Sequence, residues 1–173
     1  MKFPYPIDQV GFLCRDAKGP VMTASKMNFR PWVTDLTFDD VWYKGEWRKN
    51  ELQLYFYENV DTGFQWEYIQ ILRDGNYHKD LFARYSTSPE VVVSHMGVRV
   101  ENNEQAMIDL GLEEIPVLQA CNLGHHAYLY LDTEPFLGFV YKLIQRENMS
   151  VSFMEKIQND YDARNGSSSG KSV

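Results

Sequence analysis

The chain has 173 residues, of which 44% are hydrophobic and 14% aromatic, enough apolar material for one domain or two small packed modules. Its formal net charge is −7, which disfavours nucleic acids and anionic membranes as partners and leaves small molecules or proteins. No apolar run approaches the roughly 20 residues of a membrane span, and the start lacks the features of a signal peptide, so we expect a cytoplasmic protein. Cys14 and Cys121 have no CxxC spacing and are expected to be reduced core residues.

The predicted elements repeat in the two halves of the chain. The first half gives a strand, a helix and three strands, at 7–14, 16–29, 32–38, 52–59 and 63–72. The second half gives the same order, at 93–100, 101–112, 116–123, 126–133 and 138–145. Each half therefore has the order β-α-β-β-β, and the pattern predicts an α+β fold of two tandem modules.

The remaining segments connect or extend these modules. The residues around 73–90 have the composition of a connector, and their apolar residues predict a short packed helix within it. After residue 146 the pattern predicts a C-terminal helix and then a disordered tail. The predicted units are a first module, a connector, a second module, a C-terminal helix and a tail, at 1–73, 74–92, 93–146, 147–165 and 166–173.

One histidine lies where a buried strand is predicted. His95 is in the middle of VVVSHMGVRV (91–100), a run typical of a buried strand. A buried imidazole without a partner costs roughly 1–3 kcal/mol, so His95 is expected to have either a structural partner or a function. Alignment of Gly11 with Gly97 pairs His95 with Gln9 of the first strand.

The last strands of the two modules also carry a polar pair. Alignment of the Gly-Phe steps at 63–64 and 138–139 pairs Glu67 with Lys142. The same alignment pairs Tyr55 with Tyr130 and needs no gap between the third and fourth strands. Strand alternation places Glu67 on the face opposite the aromatic residues of GFQWEYIQIL (63–72).

With the modules in this register, the sequence resembles the vicinal oxygen chelate superfamily, which includes glyoxalase I, methylmalonyl-CoA epimerase, extradiol dioxygenases and bleomycin resistance proteins. The resemblance covers residues 7–146, and SHMGVRVEN with HAYLYLDTEPFLGFVYKLIQ is most similar to the branch that contains methylmalonyl-CoA epimerase. It implies a glyoxalase-like fold, in which two tandem βαβββ modules form a cupped mixed sheet with a C-terminal helix after it.

The resemblance also implies a set of site residues, because in this family each module supplies one metal ligand from its first strand and one from its last. Carried over, the metal ligands are Gln9, Glu67 and His95, and the cofactor is a divalent transition metal: Zn, Ni, Co, Mn or Fe(II). The fourth position is Lys142, which departs from the family pattern because a protonated lysine has no lone pair for a cation. Glu67 and Lys142 are the candidate catalytic residues.

Two functions stay open at this point. The resemblance implies a metal-assisted lyase, isomerase or epimerase, in which Glu67 removes a proton next to a carbonyl of a small molecule. The alternative is a metal-free protein of the same fold, in which Glu67 and Lys142 form an ion pair in the volume of the metal and the sheet binds a small ligand. A homodimer is expected by analogy with the family alone.

Other histidines and tryptophans have simpler interpretations. His125 and His126 are adjacent on a strand, so at most one of them faces the cavity. His78 lies in the connector and is expected to be exposed to solvent. The sequence WYKGEW (42–47) predicts a hairpin tip with Trp42 and Trp47 exposed, where they either cover a ligand or a partner subunit or, as we favour, serve simple packing.

Overall fold

A computed structural model describes residues 5–26, 32–84 and 90–166. These parts of the chain form, in order, β1 (Gln9–Cys14), α1 (Lys18–Ser25), β2 (Trp32–Tyr43), β3 (Glu46–Glu58), β4 (Gln65–Arg73), α2 (Asn76–Arg84), β5 (Val91–Val100), α3 (Asn103–Leu110), β6 (Val117–Asn122), β7 (His126–Leu131), α4 (Glu134–Leu137), β8 (Val140–Arg146) and α5 (Val151–Asn165).

The strands form one closed barrel in the order β1-β4-β3-β2-β6-β7-β8-β5. Within each half the first and last strands are parallel neighbours, β1 with β4 and β5 with β8. The two halves meet at the antiparallel pairs β1–β5 and β2–β6. The predicted α+β fold with a mixed sheet and a C-terminal helix is confirmed, and the expected cup is closed into a barrel.

The helices differ in where they pack. Helix α1 packs on the outer face of the first half, where Val21 contacts a tyrosine cluster that includes Tyr68. Helices α3 and α5 cover the outer face of the second half, and Ile157 of α5 belongs to that core. In contrast, α2 contributes Tyr77 and Leu81 to the cluster of interior strand residues. The connector helix therefore fills part of the barrel instead of lying on its surface.

Several boundaries differ from those predicted, for local reasons. Strand β3 begins at Glu46 instead of residue 52, because β2 and β3 are joined by a two-residue turn, Lys44 and Gly45, with φ values of 48° and 84°. Helix α3 is shorter than predicted, and it begins after Asn102, whose side chain accepts a hydrogen bond from the Gln105 backbone N–H. The end of the predicted helix 16–29, from residue 27, and the predicted tail from residue 167 lie outside the described residues.

The predicted alignment of the two halves is wrong by one residue in the third strand. Lys142 pairs with Tyr130 across β7 and β8, whereas Glu67 pairs with Phe56 across β3 and β4. Phe56, and not Tyr55, is therefore the equivalent of Tyr130. The connection that contains α4 is one residue longer than its counterpart, so the expected gap-free alignment does not hold.

Candidate functional site

A cavity of about 1430 Å³ extends from the barrel interior to an open mouth beside α3, and its volume exceeds the ~300–1,000 Å³ of most small-molecule sites. Apolar side chains such as Leu54 and Phe56 form much of its wall. Gln9, Glu67 and Lys142, three of the residues expected to form a site, line it as well. The alternation predicted for β4 is confirmed, since Glu67 faces the interior and the aromatic residues of β4 pack outside.

Two glycines make room for the polar side chains of β1 and β5. Gly11 stands opposite His95, and Gly97 stands opposite Gln9. A Cβ atom on Gly11 would lie 2.1 Å from the His95 ring, and one on Gly97 would lie 2.9 Å from the Gln9 Oε1. Close-packed interiors do not allow such contacts. The glycines therefore let the imidazole and the carboxamide lie across the neighbouring strand.

His95 is held by three polar neighbours. Its Nε2 lies 3.1 Å from the Glu67 Oε2 and 3.1 Å from the Gln9 Oε1, and its Nδ1 lies 3.1 Å from the Ser94 Oγ. The Gln9 amide group donates to the Gln65 Oε1, which orients its own oxygen toward His95. Since both neighbours of Nε2 are acceptors, Nε2 carries the hydrogen and Nδ1 accepts one from Ser94. The buried imidazole is thus fully paired.

Lys142 completes this group of side chains. Its Nζ donates to the Glu67 Oε2 at 3.0 Å, and the lysine side chain is only 8% exposed. The ammonium also lies 5.5 and 5.6 Å from the ring centroids of Tyr128 and Tyr130, which gives it favourable cation–π contacts. In the described parts of the chain, Glu67 is the one group that accepts a hydrogen bond from it. Lysine has three N–H donors, so donors remain for a ligand.

The charges of the site follow from burial and these contacts. Burial alone would raise the pKa of Glu67, but the Lys142 charge and the His95 N–H outweigh it and hold that pKa well below its ordinary value. Burial and the Lys142 charge lower the pKa of His95 to about 4. At neutral pH the site therefore contains a carboxylate, an ammonium and an uncharged imidazole, and its net charge is zero.

The side chains as arranged do not fit a metal ion. Gln9, Glu67 and His95 converge as predicted, but the lone pair that His95 would offer through Nε2 is replaced by a hydrogen. The Glu67 oxygen in this group already accepts from Lys142. Within the residues that the structure describes, no cluster of three or more His, Cys, Asp and Glu side chains is arranged to hold a metal. Metal binding by these residues stays a prediction, and we derive no chemical step from it.

Two predictions of exposure are wrong. His78, expected in solvent, is 1% exposed and lines the cavity, because α2 packs into the barrel. Trp42, expected at an exposed hairpin tip, is 1% exposed, because α5 covers it and the Gln158 Oε1 accepts from its indole at 2.7 Å. Trp47 is 57% exposed, as predicted. Of the adjacent histidines at 125 and 126, His126 lines the cavity, which agrees with the expectation that at most one of them does so.

The spacing of apolar residues in the connector is the signal that could have indicated the position of His78. Tyr77 and Leu81 are four residues apart, so they share a helix face, and His78 is adjacent to that face. Both Tyr77 and Leu81 are 2% exposed. Because Tyr77 and Leu81 form a packed face of α2, the first turn of this helix, which includes His78, is buried.

Solved structures confirm the glyoxalase-like fold. Methylmalonyl-CoA epimerase from Mycobacterium tuberculosis matches with a TM-score of 0.58 and 10% identity, over 86% of this chain and 91% of that one. A Streptomyces coelicolor methylmalonyl-CoA epimerase variant in complex with 2-nitronate-propionyl-CoA matches with a TM-score of 0.55 and 14% identity, over 80% and 95%. A methylmalonyl-CoA epimerase in complex with methylmalonyl-CoA and NH4+ gives 0.56 and 13%, over 84% and 99%. The protein thus has the fold of the vicinal oxygen chelate superfamily, and identities this low establish the fold alone.

Comparisons at the level of sequence add no relative. No protein-family model matches the chain, and no curated protein matches it. In the described ranges, none of the helices is long and apolar enough to cross a membrane.

Proposed function

We propose that this protein binds a small molecule with an apolar body and a carboxylate or carbonyl oxygen, and that it does so without a metal ion. The carrying observation is the 3.0 Å contact between the Lys142 Nζ and the Glu67 Oε2. Lys142 stands at the position where the resemblance implies a fourth metal ligand. Its ammonium supplies the positive charge that a metal ion would otherwise bring to the site. Its free N–H donors then hold the oxygen of the ligand.

The shape and composition of the cavity support this proposal. Apolar walls favour the burial of an alkyl or aromatic ligand body, at roughly 25 cal/mol for each Å² removed from water. The wall includes Leu36, Phe38, Leu52 and Ile69 from three strands. Polar groups such as Glu67 and Lys142 lie beside this apolar part of the wall, and polar groups in such a position orient a ligand and provide specificity. Lys142 is the buried cation among them.

Calorimetric titration with simple amphiphiles tests the proposal. Decanoate and methyl decanoate are the matched probes, since each has an apolar chain and an oxygen acceptor, and decylamine is the mismatched probe. We expect the wild-type protein to bind the two acceptors and to reject decylamine, because its ammonium cannot accept from the free Lys142 donors and the Glu67 Oε2 already accepts from Lys142 and His95. In the double variant Glu67→Gln, Lys142→Met, the affinity for decanoate should fall about 10- to 100-fold, the value of a charge-assisted hydrogen bond.

A surface lysine provides the matched control for this titration. Lys156 pairs with Asp160 on α5, with side chains 49% and 44% exposed, and Lys156→Met should leave decanoate binding unchanged. The double variant removes both charges of the buried pair, so its fold is expected to persist. Equal affinity of the wild type and the double variant for decanoate would contradict the proposed contact with Lys142.

The second candidate is an enolising isomerase, epimerase or lyase. Neighbours of the same fold are named methylmalonyl-CoA epimerases, and Glu67 next to Lys142 puts a carboxylate base beside a cation that can hold an enolate oxygen. Against it, the low pKa of Glu67 makes this carboxylate a weak base, because Lys142 and His95 stabilise its ionised form.

Hydrogen exchange distinguishes the two candidates. The protein is incubated with methylmalonyl-CoA in deuterium oxide, and the signal of the proton next to the thioester carbonyl is followed by NMR. We expect its loss to be no faster with the wild type than with Glu67→Gln. Faster loss that Glu67→Gln abolishes would establish proton abstraction and favour the enolising enzyme.

A further inference from the structure

His78 has a position in the cavity that the Lys142 site does not explain. Its ring forms part of the cavity wall and meets the Tyr130 ring edge-on, with 5.8 Å between the centroids. The same tyrosine ring lies 5.1 Å from the His95 ring and 5.6 Å from the Lys142 Nζ. One aromatic ring therefore separates His78 from the Glu67–Lys142 pair.

Neither ring nitrogen of His78 makes a hydrogen bond of normal geometry among the described residues, although both are buried, and the nearby Gly75 carbonyl acts on the ring only weakly enough that burial still lowers its pKa. Asn50 and Asn103 are also unpaired, but they are not among the residues that line the cavity. Helix α2 does not need the imidazole as an anchor, because Tyr77 packs in the interior and donates its hydroxyl to the Ser94 carbonyl at 2.6 Å. Buried polar groups are normally paired, so the partner of His78 comes from outside the chain.

We infer that His78 is a ligand-binding residue, which recognises a hydroxyl or amide group on the same molecule whose carboxylate or carbonyl oxygen contacts Lys142. This inference rests on the proposed function and adds a second polar contact to it. An uncharged imidazole has one donor and one acceptor, which match a hydroxyl or amide group. Burial lowers the pKa of His78 to about 3, so the ring carries no charge for an anion at neutral pH. The ligand class is an apolar organic acid or carbonyl compound with one neutral hydrogen-bonding group.

Calorimetric titration with decanoate and its hydroxylated forms tests the inference. The hydroxyl is placed next to the carboxylate, one carbon further, or at the far end of the chain. We expect at least one hydroxy acid to bind the wild type about three- to tenfold more tightly than decanoate, which is the value of one hydrogen bond. His78→Phe and His78→Leu should lose this preference, so that each variant binds the hydroxy acid and decanoate with equal affinity. The exposed His125 provides the control, since His125→Phe should keep the preference.

The outcomes separate this inference from the proposed function. If neither His78 variant changes the preference, or if no hydroxy acid binds better than decanoate, the role of His78 is refuted. Both His78 variants should also melt at a higher temperature than the wild type, because they remove an unpaired buried group. A lower melting temperature would instead show that the imidazole stabilises the fold by binding a structural water, and would contradict its role in ligand binding. If the double variant at Glu67 and Lys142 keeps full decanoate affinity while His78 still selects a hydroxy acid, the Lys142 contact fails and the His78 contact stands.

Discussion

Substitution of Lys142 by Met removes the charge partner of a buried carboxylate. The Glu67 side chain is 4% exposed, and without Lys142 its remaining close partner among the described residues is the His95 N–H, at 3.1 Å. Loss of one partner of a buried ion pair costs about 3–5 kcal/mol, and we expect the free energy of unfolding to fall by this amount at neutral pH. Lys156→Met removes an exposed pair with Asp160 and should cost at most about 1 kcal/mol.

The loss should depend on pH in a specific direction. In the wild type the pKa of Glu67 lies below its ordinary value of 4.5, so the pair stabilises the fold above that pH, and the stabilisation is lost as the pH falls below it. In Lys142→Met burial dominates and raises the pKa of Glu67, so that variant loses stability as the pH rises through the new pKa. The difference between the two proteins is therefore larger at about pH 8 than at about pH 5.

Urea denaturation followed by tryptophan fluorescence, repeated across this pH range, measures both effects. Addition of Glu67→Gln to Lys142→Met should recover most of the lost free energy, because no unpaired charge then stays buried. A loss below about 1 kcal/mol, a loss that does not vary with pH, or a double variant as unstable as the single one would refute the buried pair.

Three further outcomes follow from the packing around the site. Gly11→Ala should lower the free energy of unfolding in urea by about 1–3 kcal/mol, because its Cβ would overlap the His95 ring. Gly19→Ala in α1, where a Cβ has nothing within 4 Å, is the control and should raise it by up to about 1 kcal/mol. Equal effects of the two substitutions would contradict the close approach of Gly11 and His95. The His95 ring should show no titration between about pH 5 and 8 in an NMR experiment, since its pKa is about 4, and an inflection near its ordinary 6.5 would show that the ring is not buried beside Lys142. Ile157→Ala should lower the free energy of unfolding in urea by about 2–5 kcal/mol, because this α5 side chain is 4% exposed and packs in the core of the second half. A loss below about 1 kcal/mol would show that α5 is not packed there.

The repeated pattern in the sequence predicted two βαβββ modules, and the resemblance to the vicinal oxygen chelate superfamily added the meeting of four polar side chains from their first and last strands. Strand alternation placed Glu67 on the inner face, and the glycine alignment put Gln9 next to His95. Cys14 and Cys121, predicted as reduced core residues, are free and buried. These predictions succeeded because they depend on periodicity within a strand and on the repeat of the two halves, both of which can be read directly from the sequence.

The wrong predictions concern contacts between elements that are distant in the sequence. The burial of His78 depends on α2 entering the barrel, and the burial of Trp42 depends on α5, more than a hundred residues later. The one-residue error at Tyr55 came from the connection that contains α4, whose length the glycine alignment could not reveal. The apolar spacing in α2 and α5 indicates that each helix has a packed face, but it does not show which strands that face contacts, so these outcomes required the tertiary structure.

Metal content, measured by inductively coupled plasma mass spectrometry, decides whether the Lys142 ammonium has taken the place of a metal ion. The purified protein is measured before and after incubation with Zn, Ni, Co and Mn salts, together with Lys142→Glu and His95→Ala. We expect no bound metal in the wild type and about one equivalent in Lys142→Glu, where a carboxylate joins Gln9, Glu67 and His95 as a fourth ligand. About one equivalent in the wild type that is lost in His95→Ala would contradict the metal-free site and assign Gln9, Glu67 and His95 as metal ligands.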